Sequence, residues 1–315
     1  MSKKSNINFG SKQRKQEQMK KNVIIGIIAV VVAFVGFRAV GATTSYISDK
    51  REEKIAMQQQ AEAERLEAEK KRKEEEEAKK RIIGVKPEAK QYSHDATEIS
   101  KKLSNFDYSN NGEKIVFLTF DDGASTTVTP QILDVLKTED VKATFFVTGE
   151  NLERGGQASR DLVKRAFDEG NAIANHSYSH DYKYLYPSRT VNVDNFVEDF
   201  AKTDEILKDI INPYFSTRVI RCPGGHMSWN GMDALDAYLE ENDMASIDWN
   251  ALSGDSEGKK KNAEQLVEYA KKTSEGKEMV VLLMHDTYGK EETAKSLPEI
   301  IKYYKENGYT FKTLV

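Results

Sequence analysis

From Lys114 onward, short β-rich runs alternate with stretches of helical pattern, and this alternation restricts the architecture more than any other feature. Candidate strands are 114–119 (KIVFLT), 143–148 (ATFFVT), 172–175 (AIAN), 218–221 (RVIR), 245–250 (ASIDWN), 279–284 (MVVLLM) and 310–314 (TFKTL). Helical patterns lie between them at 130–137, 160–168, 193–211, 232–241, 263–272 and 294–306. Strands that alternate with helices are parallel, and near-continuous apolar strands are covered on both faces. Seven such units predict an α/β fold, a distorted (β/α) barrel of about seven parallel strands rather than an open sheet.

Polar residues fall repeatedly just after these strands. Asp121 and Asp122 follow the first, His176 and His180 the third, Arg221 ends the fourth, Asp255 comes soon after the fifth and His285 follows the sixth. In a parallel barrel the C-terminal strand ends form one mouth, where reactive groups converge. Asp121 and Asp122 repel each other unless something cationic stands beside them. His176 and His180 are four apart, a weak signal alone, but the chain has only five histidines and His285 shares the same mouth. Two histidines and one carboxylate with an open position make a catalytic zinc arrangement, one that also suits Fe(II). One of Asp121 and Asp122 then ligates the metal while the other stays free as a base.

The segment from about 114 to 315 resembles the polysaccharide deacetylases, carbohydrate esterase family 4. TFDD at 119–122, HSYSH at 176–180, RCPGG at 221–225 and LMH at 283–285 match four of that family's motifs in order. The resemblance implies a distorted (β/α) barrel and the hydrolytic removal of acetyl groups from sugars. It implies Asp122, His176 and His180 as ligands of a divalent metal, Zn²⁺ foremost, with Co²⁺, Mn²⁺ or Fe²⁺ as other occupants. Asp121 would be the general base, Arg221 would hold it in place, and His285 would protonate the leaving amine. Leu283 would line the acetyl-methyl pocket and the amide of Gly224 would hold the oxyanion. Two departures stand out. The family's third motif often carries an aromatic where Gly224 stands. Its fourth motif commonly reads Asp-Trp, and here Asp248-Trp249 and Asp255-Ser256 both offer a register. Asp255 is preferred as the partner of His285, because Asp248 sits within the expected strand. Trp229 is a candidate for stacking on sugar, and the tyrosine-rich run 182–187 lines either a glycan groove or the core. Cys222, the only cysteine, reads as a small packed side chain, so no disulfide staples the domain.

Residues 1–48 carry eight basic side chains and one acidic, net +7, which leaves −11 for residues 49–315 out of the total of −4. An acidic main body argues against nucleic acid as a partner. The basic segment 1–22 precedes an apolar stretch at 23–42, uninterrupted by a polar side chain through residue 37 and with Arg38 near its outer end. It is long enough to span a bilayer, with the N-terminus in the cytoplasm and the rest outside. A cleaved signal peptide is the rival reading, since Val40 and Ala42 make a passable cleavage site. Residues 50–81 are almost entirely Glu, Lys, Arg, Ala and Gln, which predicts a solvated single helix. Residues 43–112 are thus expected to be stalk and linker, and 113–315 the catalytic domain. Together these features predict a membrane-tethered deacetylase of N-acetylglucosamine in cell-wall peptidoglycan. The alternatives are an O-acetyl esterase, a deacetylase of another surface polysaccharide, or a non-catalytic glycan-binding protein.

Overall fold

The computed structural model describes residues 45–315; the basic segment 1–22 and the apolar stretch 23–42 lie outside the described residues. The chain divides into two compact units that part after Arg81. In the first, α1 (Ser45–Lys80) is one 36-residue helix, as its strong helix formers require. Ile55, Met57 and Leu66 are all exposed on it, and the pair Glu69–Lys73 braces it one turn apart. Among the described residues no helix is long and apolar enough to cross a membrane.

The second unit, Ile82–Val315, holds the alternating elements. Its strands are β1 (Ile115–Gly123), β2 (Thr144–Val147), β3 (Ala172–Asn175), β4 (Val219–Ile220), β5 (Ala245–Ser246), β6 (Ala251–Leu252), β7 (Met279–His285) and β8 (Thr310–Phe311). Its main helices are α2 (Ala96–Ser104), α3 (Thr129–Thr138), α4 (Gly149–Asp168), α5 (Val193–Ile210), α6 (Met232–Glu241), α7 (Ala263–Ser274) and α8 (Glu291–Glu306). The sheet runs β5-β4-β3-β2-β1-β7-β6, and every pairing in it is parallel. β8 pairs the first two residues of β1, below the point where β2 joins at Thr119.

Strand alternation sorts β1 into two faces. Val116, Leu118 and Phe120 pack outward against Ile132 and Leu133 of α3, Leu152 of α4 and Leu297 and Ile300 of α8. Ile115 and Phe117 point inward with Phe146, Val219, Ala245 and Val281. Ile99 and Leu103 of α2 join this inner cluster, and the Ser100 hydroxyl of α2 donates to the Ser246 carbonyl of β5 at 2.7 Å. Each fully buried phenylalanine here contributes about 1.5–3 kcal/mol.

Two expectations need correction. Residues 82–112 are not linker but part of the barrel unit. Ile82–Ile83 pairs with Phe215–Ser216, and Ser93–His94 pairs with Thr313–Leu314. Of the expected strand 245–250 only Ala245–Ser246 pairs, as β5, and the chain rejoins the sheet just beyond it as β6, at the opposite end of the sheet order. Ile247 still donates to Ile220 of β4, whereas Asn250 donates to Val281 of β7. A single stretch of chain therefore crosses from one end of the curled sheet to the other. The ladder breaks between them because the carbonyls of Ile247 and Asp248 turn to the Arg221 guanidinium.

Candidate active site

β1 ends in two carboxylates, and a regular strand would send them to opposite faces. Here the register against β2 slips between Asp121 and Gly123, and Asp122 takes a left-handed backbone, φ 65°. Such a bulge re-aims a side chain, and both carboxylates reach one mouth. Gly123 leaves no room for a side chain, because a Cβ there would meet the Asp286 carboxylate.

His176 and His180 follow β3 on a loop. Asn175 Oδ1 accepts from the Ser177 amide at 2.9 Å, and Ser177 Oγ accepts from the His180 amide at 2.9 Å. Asp199 Oδ2, on α5, accepts from the amides of Tyr178 and Ser179 at 2.9 and 3.0 Å. These bonds hold Ser177 and His180 at positive φ, 74° and 50°, a strained state that persists only when its surroundings over-determine it. His176 Nδ1 donates to the Arg221 carbonyl at 2.8 Å, which leaves Nε2 for the cleft. Burial pushes the His176 imidazole down to about 3, so it is neutral, the form that binds a metal.

Asp122 Oδ1 lies 3.6 Å from His176 Nε2 and 3.6 Å from His180 Nε2. The ligand atoms of the three residues all fall within 4.8 Å of one another. Asp122 Oδ1 is buried and has no hydrogen-bond partner. A buried carboxylate oxygen without a donor, facing two imidazole nitrogens, fits a divalent cation. These three residues can hold one.

Two charge-paired dyads flank the triad. Arg221 is fully buried and donates to Asp121 Oδ1 at 2.6 Å, Thr119 Oγ1 at 3.0 Å, and the carbonyls of Ile247 and Asp248 at 2.8 and 3.2 Å. Burial lifts the Asp121 carboxyl above its ordinary value, and the Arg221 charge opposes that lift. On the other side His285 Nδ1 donates to Asp255 Oδ1 at 2.9 Å, while Asp255 Oδ2 takes the His285 amide and the Thr293 hydroxyl. Burial alone would lower the His285 imidazole, but the hydrogen bond and charge of Asp255, with Asp121 and Asp122 behind, raise it to about 8. Asp255 thus partners His285, whereas Asp248 accepts from the amides of His226 and Met227. The Ser256 hydroxyl stands 3.0 Å from His285 Nδ1. His285 and Asp121 are register partners on neighbouring strands.

The remaining candidates surround this centre. Leu283 is buried, two residues before His285 on the same face of β7. Gly224 is exposed at φ 79°, and Trp229 donates Nε1–H to the Pro223 carbonyl at 2.9 Å. Asp122 and His180 line a hollow of about 210 Å³ with Thr148, Glu150 and Tyr178. A larger groove of about 950 Å³ lies between α2 and the loop at 224–228. It reaches the strand-end residues through Gly224 and Gly225 rather than through the triad, so the smaller hollow is the better guide to the chemistry.

Comparison with known proteins bears on this geometry directly. Residues 108–238 match the family model for polysaccharide deacetylase. The chain is 30% identical to a peptidoglycan-N-acetylglucosamine deacetylase of Bacillus cereus, over 65% of its own length and 88% of that relative. The chain belongs to the polysaccharide deacetylases of carbohydrate esterase family 4. It is also 34% identical to a putative polysaccharide deacetylase of Bacillus subtilis, covering 65% of this chain and 68% of that one. Among solved structures, a family 4 esterase of Streptococcus mutans superimposes with a TM-score of 0.67 at 37% identity, over 74% of this chain and 96% of that one.

Two carboxylates at the site escaped the sequence reading. Asp199 sits on the buried stripe of α5 among Phe196, Phe200, Thr203 and Leu207, and a charge on an otherwise buried stripe was its only signal. Asp286 follows His285, is fully buried, and takes the Thr129 hydroxyl at 2.6 Å. Burial pushes its carboxyl up to about 7. Asp199→Ala would leave two amides of the histidine loop without an acceptor. We expect a loss of roughly 1–3 kcal/mol in denaturant unfolding and weaker Zn²⁺ binding in equilibrium dialysis, with unchanged dialysis counting against the loop's role.

Proposed function

We propose that this chain hydrolyses the N-acetyl groups of N-acetylglucosamine residues in peptidoglycan, with a divalent metal, Zn²⁺ foremost, held by Asp122, His176 and His180. One observation carries the reading: the Arg221–Asp121 and Asp255–His285 dyads face the triad from neighbouring strands. A bound divalent cation supplies Lewis acidity for the acetamide carbonyl and lowers the pKa of water. Asp121, held in place by Arg221, takes the proton from the attacking water. The Gly224 amide donates to the oxygen on which charge develops. His285, protonated at neutral pH, gives its Nε2 proton to the departing nitrogen while Asp255 keeps hold of Nδ1–H. Leu283 offers an apolar wall to the acetyl methyl.

An amine is a poor leaving group and needs that proton, whereas an ester alkoxide needs it less. The built acid therefore favours an amide substrate over an O-acetyl ester. Relatives named as peptidoglycan-N-acetylglucosamine deacetylases support the same sugar. The deciding measurement is amine release from N-acetylglucosamine oligomers against acetate release from O-acetylated glycan, each with and without chelator. Amine release that chelator abolishes is expected, and acetate release alone would overturn the reading.

Asp121→Asn should keep bound metal and lower turnover by about 10²–10⁴-fold, whereas Asp122→Asn should weaken metal affinity and recover partly in excess metal. Metal retained by Asp122→Asn but lost by Asp121→Asn would reverse the two roles. The pH profile tests the acid. With His285 raised to about 8, the rate should hold through neutral pH and fall as pH rises past about 8. Asp255→Asn removes the charge that lifts it, so the alkaline limb should move to lower pH; an unmoved limb would exclude His285 as the acid.

We further propose that residues 23–42 anchor the chain, with the N-terminus in the cytoplasm, α1 as a stalk and the barrel unit outside the cell. Protease added to intact, wall-stripped cells should then digest the barrel unit, and protection until lysis would reverse the orientation.

A further inference from the structure

The tyrosine-rich run beside the triad divides into three environments. Tyr186 is buried and stacks on Trp229, ring centroids 4.1 Å apart and planes 8° apart. Tyr184 donates to Glu198 at 3.3 Å. Tyr182 alone is exposed, at 44%, and its ring lies 5.2 Å from that of the triad's His180 and 5.2 Å from that of Trp229. It stands at the start of a single helical turn, Tyr182–Leu185, capped by the Asp181 carboxylate.

Trp229 is committed elsewhere. Tyr186 covers one of its faces, Arg189 approaches its ring to 5.4 Å, and its Nε1–H is taken by Pro223. It buttresses Tyr182 from behind, tying an exposed ring to the core through Tyr186. Gly224 completes the arrangement. A Cβ there would come within 3.1 Å of Trp229 and 3.4 Å of Tyr182, so the two rings fill the space a side chain at 224 would need.

A half-exposed ring fixed beside the metal triad offers a π face and a phenol edge to whatever enters. A pyranose presents an apolar C–H face rimmed by hydroxyls, which matches that surface. We propose that Tyr182 is the sugar platform of this site, packing on the ring of the residue whose acetamide is cleaved and so selecting glycan over simple acyl compounds. This rests on the deacetylase reading. A small acyl compound need not meet Tyr182, whose ring lies 5.2 Å from that of His180, whereas a pyranose with its acetamide at the triad is large enough to cover it.

The test is steady-state kinetics of the zinc-loaded protein, Tyr182→Ala and Tyr182→Phe, on an N-acetylglucosamine tetramer and on 4-nitrophenyl acetate, counting only chelator-sensitive hydrolysis. In Tyr182→Ala the ratio of kcat/KM for tetramer to that for 4-nitrophenyl acetate should fall about tenfold, the loss lying in KM. Tyr182→Phe, which keeps the ring, should keep the ratio. The proposal is overturned if Tyr182→Ala leaves the ratio unchanged, or if Tyr182→Phe loses as much as Tyr182→Ala. Calorimetric titration of tetramer separates this from the underlying reading. If the unaltered protein releases no amine while Tyr182→Ala still weakens tetramer binding, the platform stands and the deacetylase reading falls.

Discussion

The buried guanidinium of Arg221 is the interaction on which the barrel and its chemistry jointly depend. A charge taken wholly out of water is costly unless its donors are met, and Arg221 uses four of its five N–H groups on Ile247, Asp248, Thr119 and Asp121. The first two partners are carbonyls at the break in the sheet, and the last is the carboxylate at the end of β1. Phe146 lies under the guanidinium at 4.1 Å, so the cation also rests on the inner core. The break between β5 and β6 and the position of Asp121 therefore share one side chain. A lysine could not replace it, since a point charge cannot serve four acceptors spread across a plane.

The rest of the site follows a related logic, in which unfavourable backbone is held by buried acceptors. Asp122, Ser177 and His180 all sit at positive φ, and none is glycine. The bulge at Asp122 and the loop after β3 aim three donor atoms at one point, and the bonds from Asn175, Ser177 and Asp199 hold the loop there. Local stability is spent on pre-organisation, which is the usual place for strain in an enzyme.

The parts legible in the sequence were those with a period or a characteristic string. β1, β2, β3 and β7 announce themselves because a strand covered on both faces is an unbroken apolar run. TFDD and HSYSH fixed the ligand candidates, and the strand ends brought Arg221, Asp255 and His285 to the same mouth. The membership of 82–104 in the barrel was hidden, because two-residue strands and a lone capped helix carry too few positions to show a period. The split of 245–252 was hidden for another reason. ASIDWN reads as one strand, but only its first two residues pair, and the carbonyls of Ile247 and Asp248 go instead to a long-range partner, Arg221, absent from the local pattern. That Asp121 and Asp122 share one mouth was expected from TFDD, but the bulge that brings Asp122 there had no local signal, since alternation predicts the reverse.

The pairing of Ser93–His94 with Thr313–Leu314 bears on how the domain comes to be made. Lys312 and Thr313 reach the carbonyls of Gln91 and Tyr92 across 221 residues of chain, and β8 pairs β1 from nearly as far along the sequence. Contacts of such separation form late, because the loop entropy of the whole intervening chain must be lost first. A nascent chain emerging from the ribosome can assemble β1 to β4 in order, yet Ser93–His94 has no strand to pair with until Thr313–Leu314 has been synthesised. Until then the segment leading into α2 is without its strand partner, and the Ala96 amide is without the Val315 carbonyl. The interval is a window for chaperone capture or aggregation.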